Sequence, residues 1–102
     1  MNNIEKIADH YGLQNQLGKL SEELRELDLA AMLAQLDLIS HEEISDKSRF
    51  NLIDELADVI IMVEQISYLM SVRGRVVGRI GFKINRQLER IAAEVNNEQP
   101  DN

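Results

Sequence analysis

At 102 residues the chain has the length of one domain, and a monomer of this size buries only about two-thirds of its surface, so oligomerisation would help it. The absence of cysteine excludes disulfides and thiolate metal sites. Apolar runs such as Val59–Val63 are far too short for a membrane span, and a net charge of −7 argues against general binding of duplex nucleic acid. The N-terminal stretch Met-Asn-Asn-Ile-Glu-Lys has no long apolar segment, which makes a cytoplasmic location the expectation. With 44% hydrophobic residues but only 4% aromatic and a single proline, the composition favours helices packed with Leu, Ile, Ala and Met.

Taken in order, Asn2 and Asn3 can cap a short first helix that carries Ile4, Ile7, Ala8 and Tyr11 on one side and ends at Gly12. A long second helix is predicted from about Leu13 to Asp37, with Leu13, Leu17, Leu20, Leu24, Leu27 and Ala31 as its packing stripe. The polar stretch 38–46 breaks it, and Ser40 with Glu43 has capping-box spacing, so a helix restarts between His41 and Lys47. This central helix runs to about Val72, where Arg73-Gly74-Arg75 supplies a turn. A last helix, about Arg75 to Val95, carries Val77, Ile80, Ile84, Leu88, Ile91 and Val95 on one side. The tail 96–102 is expected to be disordered. With no strand pattern and no repeat, the expected fold is all-α: a single-domain antiparallel helical bundle of four main helices over residues 1–95, assembled as a homo-oligomer.

Two carboxylates interrupt the most apolar part of the chain. On a helical wheel of about 100° per residue, Leu52, Val59, Met62 and Ile66 fall within about 60° of Glu55, so Glu55 points into the packing face with Asp58 at its edge. Ionised carboxylates placed there need a cation or hydrogen-bond donors. The second helix repeats the arrangement: with Glu23 at zero, the apolar stripe centres near about 70° and Glu26 falls near about −60°. Two antiparallel helices would thus bring four carboxylates together, a set of hard oxygen donors that suits Mg²⁺ or Mn²⁺ better than zinc. Glu22 lies farther round, where it would orient water rather than ligate.

Charge is unevenly distributed. Between Glu22 and Glu64 most of the acids gather against only Arg25, Lys47 and Arg49, whereas Arg73 to Arg90 holds six cations and one acid. Arg79, Lys83, Arg86 and Arg90 form one stripe of the last helix, and Lys19 sits one turn before Glu23. Carboxylate-held Mg²⁺ flanked by Arg and Lys is a combination that binds polyphosphates.

The stretch from Lys19 to Leu27, with Glu22, Glu23 and Glu26, followed by Glu55-Leu-Ala-Asp58-Val, resembles the EExxE and ExxD signature of MazG-type, all-α nucleoside triphosphate pyrophosphohydrolases. The 28 residues between Glu26 and Glu55 stand at the long end of that family's range, and the ending Lys83-Ile-Asn-Arg86-Gln-Leu-Glu-Arg90 is similar to the basic segment of its small members. The resemblance covers about residues 14–92. It implies cleavage of a (d)NTP between the α and β phosphates, Mg²⁺ ligands at Glu23, Glu26, Glu55 and Asp58, water positioning or a further metal at Glu22, and phosphate binding by Lys83 and Arg86. It also implies a homodimer or homotetramer.

The alternative, from a different class, is a non-enzymatic helical oligomerisation or adaptor module whose polar residues form structural ion pairs between subunits. A di-iron site of the ferritin-like kind is disfavoured, because neither acidic helix carries the Glu-x-x-His pair such a site uses.

Overall fold

The structure is a computed structural model and describes residues 1–98. Among the described residues there are four helices and no strand: α1 (Asn3–Tyr11), α2 (Leu13–His41), α3 (Asp46–Leu69) and α4 (Arg73–Glu98). The chain divides into two compact units, one containing α1 to α3 and ending at Ser71, the other beginning at Val72 and consisting of α4. No helix among the described residues is long and apolar enough to cross a membrane.

Local chemistry sets the helix ends. Asn2 caps α1: its side chain accepts from the Glu5 N–H at 2.8 Å, and Glu5 accepts in return from the Asn2 N–H at 3.4 Å. Gly12 then adopts φ +84°, a conformation that L side chains rarely adopt. Its N–H closes α1 on the Ala8 carbonyl at 2.8 Å while its own carbonyl accepts from the Gln16 N–H at 3.0 Å, so α2 starts without an intervening loop.

Three expected boundaries move. α2 continues to His41 and stops at Glu42, which takes the left-handed conformation with φ 65° and donates to the Leu38 carbonyl. Ser40 therefore lies inside α2 with its N–H committed to that helix, and cannot start the next one. Ser45 does so instead: its side chain accepts from the Ser48 N–H at 3.2 Å, and Asp37 accepts from the Ser45 N–H at 3.0 Å. At the other end α3 stops at Leu69, Ser71 takes a positive φ of 55°, and Arg73-Gly74-Arg75 forms the first turn of α4 rather than the connection. The expected disordered tail begins too early as well, because residues 96–98 continue α4; residues 99–102 lie outside the described part.

In the first unit α2 and α3 pack antiparallel through a strict seam. On α2 the buried and half-buried positions are Leu13, Gln16, Leu20, Glu23, Leu27, Ala30, Ala34 and Asp37; on α3 they include Leu52, Glu55, Val59, Met62, Ile66 and Leu69. Both follow the alternating three- and four-residue spacing of a coiled-coil interface. The α3 seam is the one predicted. The α2 seam is rotated from the expected stripe, leaving Leu17, Leu24 and Ala31 exposed and bringing Gln16, Glu23 and Ala30 inside. Alanine at positions 30 and 34 lets the helices approach closely near the hairpin end. α1 packs on α3 and α2 through buried Ala8, and the Tyr68 hydroxyl donates to Asp9 at 2.9 Å.

Candidate metal centre

The antiparallel register sets Glu23 and Glu26 of α2 against Asp58 and Glu55 of α3. One carboxylate oxygen from each of these four residues lies within 4.8 Å of all the others. Glu23 is buried, Glu55 half-buried, and Glu26 and Asp58 are exposed, so the cluster reaches from the seam out to solvent. This is the constellation expected from the two carboxylate pairs, with one change. Glu23 stands in the seam itself, because the α2 stripe is rotated toward it.

The Lys19 ammonium lies 3.2 Å from Glu23 Oε1. That contact, followed by the charges of Glu22 and Glu23, raises the Lys19 pKa. One ammonium does not satisfy four carboxylates. Glu23 Oε2 and Glu55 Oε2 are both buried without a hydrogen-bond partner, a costly arrangement for an ionised oxygen. Burial, then the charge of Glu26 and a proton shared with it, then the charges of Asp58 and Glu23, raise the Glu55 pKa. Two orphaned oxygens within a set of four hard donors fit a metal ion.

Two depressions flank the carboxylates. A cleft of about 770 Å³ is lined by Ile7 and Tyr11 of α1, the start of α2 including Gln16, Lys19 and Glu22, and Met62 and Gln65 of α3. A smaller one of about 260 Å³ is lined by Glu26, Glu55 and Asn51 among apolar residues. Glu22 thus faces the larger cleft beside Lys19 rather than joining the four-carboxylate cluster. Asn51 was not singled out by the sequence, since an amide one turn before a carboxylate is common on any helix.

In the second unit, Lys83, Arg86 and Arg90 surround a pocket of about 120 Å³ with Gln87. Arg79 lies over the Phe82 ring at 4.6 Å and Arg86 at 6.0 Å, cation–π contacts that hold two guanidinium groups on the same side of α4. The stripe predicted for the last helix is therefore a local cluster of positive charge. Comparison with known proteins finds no matching family model, no matching curated protein and no matching solved structure. The functional reading rests on the site.

Proposed function

We propose that the protein is a Mg²⁺-dependent nucleoside triphosphate pyrophosphohydrolase, converting a (d)NTP and water to a (d)NMP and pyrophosphate. The observation that carries this reading is the convergence of Glu23, Glu26, Glu55 and Asp58 with two buried oxygens left unpartnered. These four residues would hold the cation. A bound Mg²⁺ supplies charge neutralisation, polarises phosphoryl oxygens and lowers the pKa of a bound water. Glu22, on the rim of the large cleft, orients the attacking water, and Lys19 neutralises phosphate charge from the same rim. On α4, Lys83 and Arg86, with Arg79 and Arg90 beside them, are the groups this reading assigns to phosphate, through charge-assisted hydrogen bonds. This reading is of the MazG type, and it puts the reaction in the cytoplasm.

The active species in this reading is a homodimer or homotetramer. The α2–α3 hairpin leaves Leu29, Met32, Leu36 and Ile39 of α2 exposed, together with Phe50, Ile53 and Ile60 of α3. Among the described residues, the buried apolar ones are only Ala8 of α1, Ala30 and Ala34 of α2 and Met62 of α3. Exposed apolar surface of this extent marks an interaction face, and a second copy of the hairpin would complete a four-helix core.

The same exposed residues favour a second reading, an adaptor whose only task is assembly. Thermal melting separates the two. The hydrolase reading predicts that Mg²⁺ or Mn²⁺ raises the melting temperature by mass action at low millimolar concentration, and that Glu55→Gln removes both this shift and turnover while leaving helicity intact. An adaptor would respond to ionic strength alone, and the Glu55→Gln change would alter assembly instead. Full turnover by Glu55→Gln would overturn the metal-site assignment.

A further inference from the structure

The large cleft contains a feature that the phosphate chemistry does not use. Gln16 and Gln65 are 6% and 2% exposed, and each occupies a seam position where an apolar residue would pack without cost. Gln16 Nε2 donates to Gln65 Oε1 across the seam. Their remaining amide groups have no partner among the described residues, yet they are not sealed off, and both residues line the cleft. The linked pair therefore presents one carbonyl oxygen and one NH₂ side by side. Turning both amides over preserves that offer, since the two residues merely exchange roles.

Position matters as much as chemistry. Gln16 precedes Glu23 by seven residues and Gln65 follows Asp58 by seven, so in the antiparallel hairpin the pair stands one level away from the carboxylates, about 10 Å at 1.5 Å rise per residue. Lys19 and Glu22 line the cleft between these levels. Tyr11 forms a wall of the same cleft, and His10 meets its ring edge-on with centroids 4.8 Å apart. An aromatic face, a donor–acceptor edge and apolar Ile7, Ile61 and Met62 are the ingredients of a site for a flat heteroaromatic ring.

We propose that this cleft is the base subsite, in which the Gln16–Gln65 pair reads a nucleobase edge carrying an adjacent hydrogen-bond donor and acceptor, and Tyr11 covers the ring face. The assignment rests on the pyrophosphohydrolase reading for the rest of the nucleotide. A neutral amide pair brings no charge to a phosphate, and its paired donor and acceptor match a base edge, so on this assignment an abasic ribose triphosphate or inorganic tripolyphosphate gains nothing here.

Side-chain amide resonances of Gln16 and Gln65, followed by ¹⁵N NMR during titration of the full chain with free nucleosides, test the subsite without phosphate or metal. Steady-state kinetics with a (d)NTP then tests its role. Gln65→Met and Gln16→Met keep seam volume while removing the edge, and Tyr11→Ala leaves the seam untouched. The expected results are nucleoside-dependent shifts at both amides and, for each variant, a KM raised by about tenfold or more with kcat retained. Amide shifts with nucleosides in a protein that hydrolyses no (d)NTP would keep the subsite and sink the reaction. Normal hydrolysis by all three variants with unchanged KM, and silent amides, would overturn the subsite and leave the reaction standing.

Discussion

At Glu55, burial and the neighbouring charges of Glu26, Asp58 and Glu23 all oppose ionisation and raise its pKa, so the proposed metal ligand is also the carboxyl that the metal-free fold favours least in its charged form. The sign of the pH dependence follows. A carboxyl whose pKa is higher in the folded than in the unfolded state contributes stability at pH below its ordinary range, and that contribution is lost as pH rises through the raised value. Without metal, the wild type should therefore lose stability relative to Glu55→Gln as pH rises across that window, read as the difference between their melting temperatures. Adding Mg²⁺ should reverse the order above the raised pKa and release protons within the window, measurable by calorimetry in buffers of different ionisation enthalpy. The sequence displayed Glu55 plainly, because four apolar neighbours share its face. Gln16 was less legible: an amide at helical spacing looks solvated until the seam is known to pass through it.

At the scale of elements, the α2–α3 connection depends on a few polar contacts. Ser45 caps α3 and is itself fixed by Asp37. Replacing Ser45 with Ala should cost about 1 kcal/mol in chemical denaturation, and combining it with Asp37→Asn should cost less than the sum of the two, since both remove one network. Hydrogen bonds from the Ser45 backbone, then from the Ser48 and Ser45 side chains, lower the Asp37 pKa. Its contribution is thus present above the ordinary carboxylate range and lost as pH falls through the lowered value. Here the sequence misled in a specific way. Ser40 and Glu43 had the right spacing for a capping box, but α2 propagates past Ser40, and a residue still inside one helix cannot cap the next. The α2 seam was misplaced for a related reason: an apolar stripe centred on Leu17, Leu24 and Ala31 competes with the one through Leu20 and Leu27, and a helix with two apolar sides does not reveal which of them its own chain will cover.

At the scale of the molecule, the four helices and the lack of a strand among the described residues were readable from periodicity and composition, and the meeting of four carboxylates from the antiparallel pairing of two motifs. Burial of Glu23 and the existence of a cleft beside it were not, because both depend on the rotation of α2 in its seam. The second apolar side of the hairpin has its own consequence. Ile60, 61% exposed in the middle of α3, should lie within the interface of the proposed oligomer. Ile60→Glu should shift the sedimentation coefficient toward the monomer and lower the melting temperature, while an unchanged oligomer would move the interface elsewhere.

The most direct test of the central claim is incubation of the purified protein with a panel of (d)NTPs and Mg²⁺, with nucleotide products and pyrophosphate measured separately. The proposed reaction predicts a monophosphate and pyrophosphate in equal amounts, with no product in the Glu55→Gln variant. Diphosphate with inorganic phosphate, or no turnover of any nucleotide with Mg²⁺ or Mn²⁺, would contradict the account.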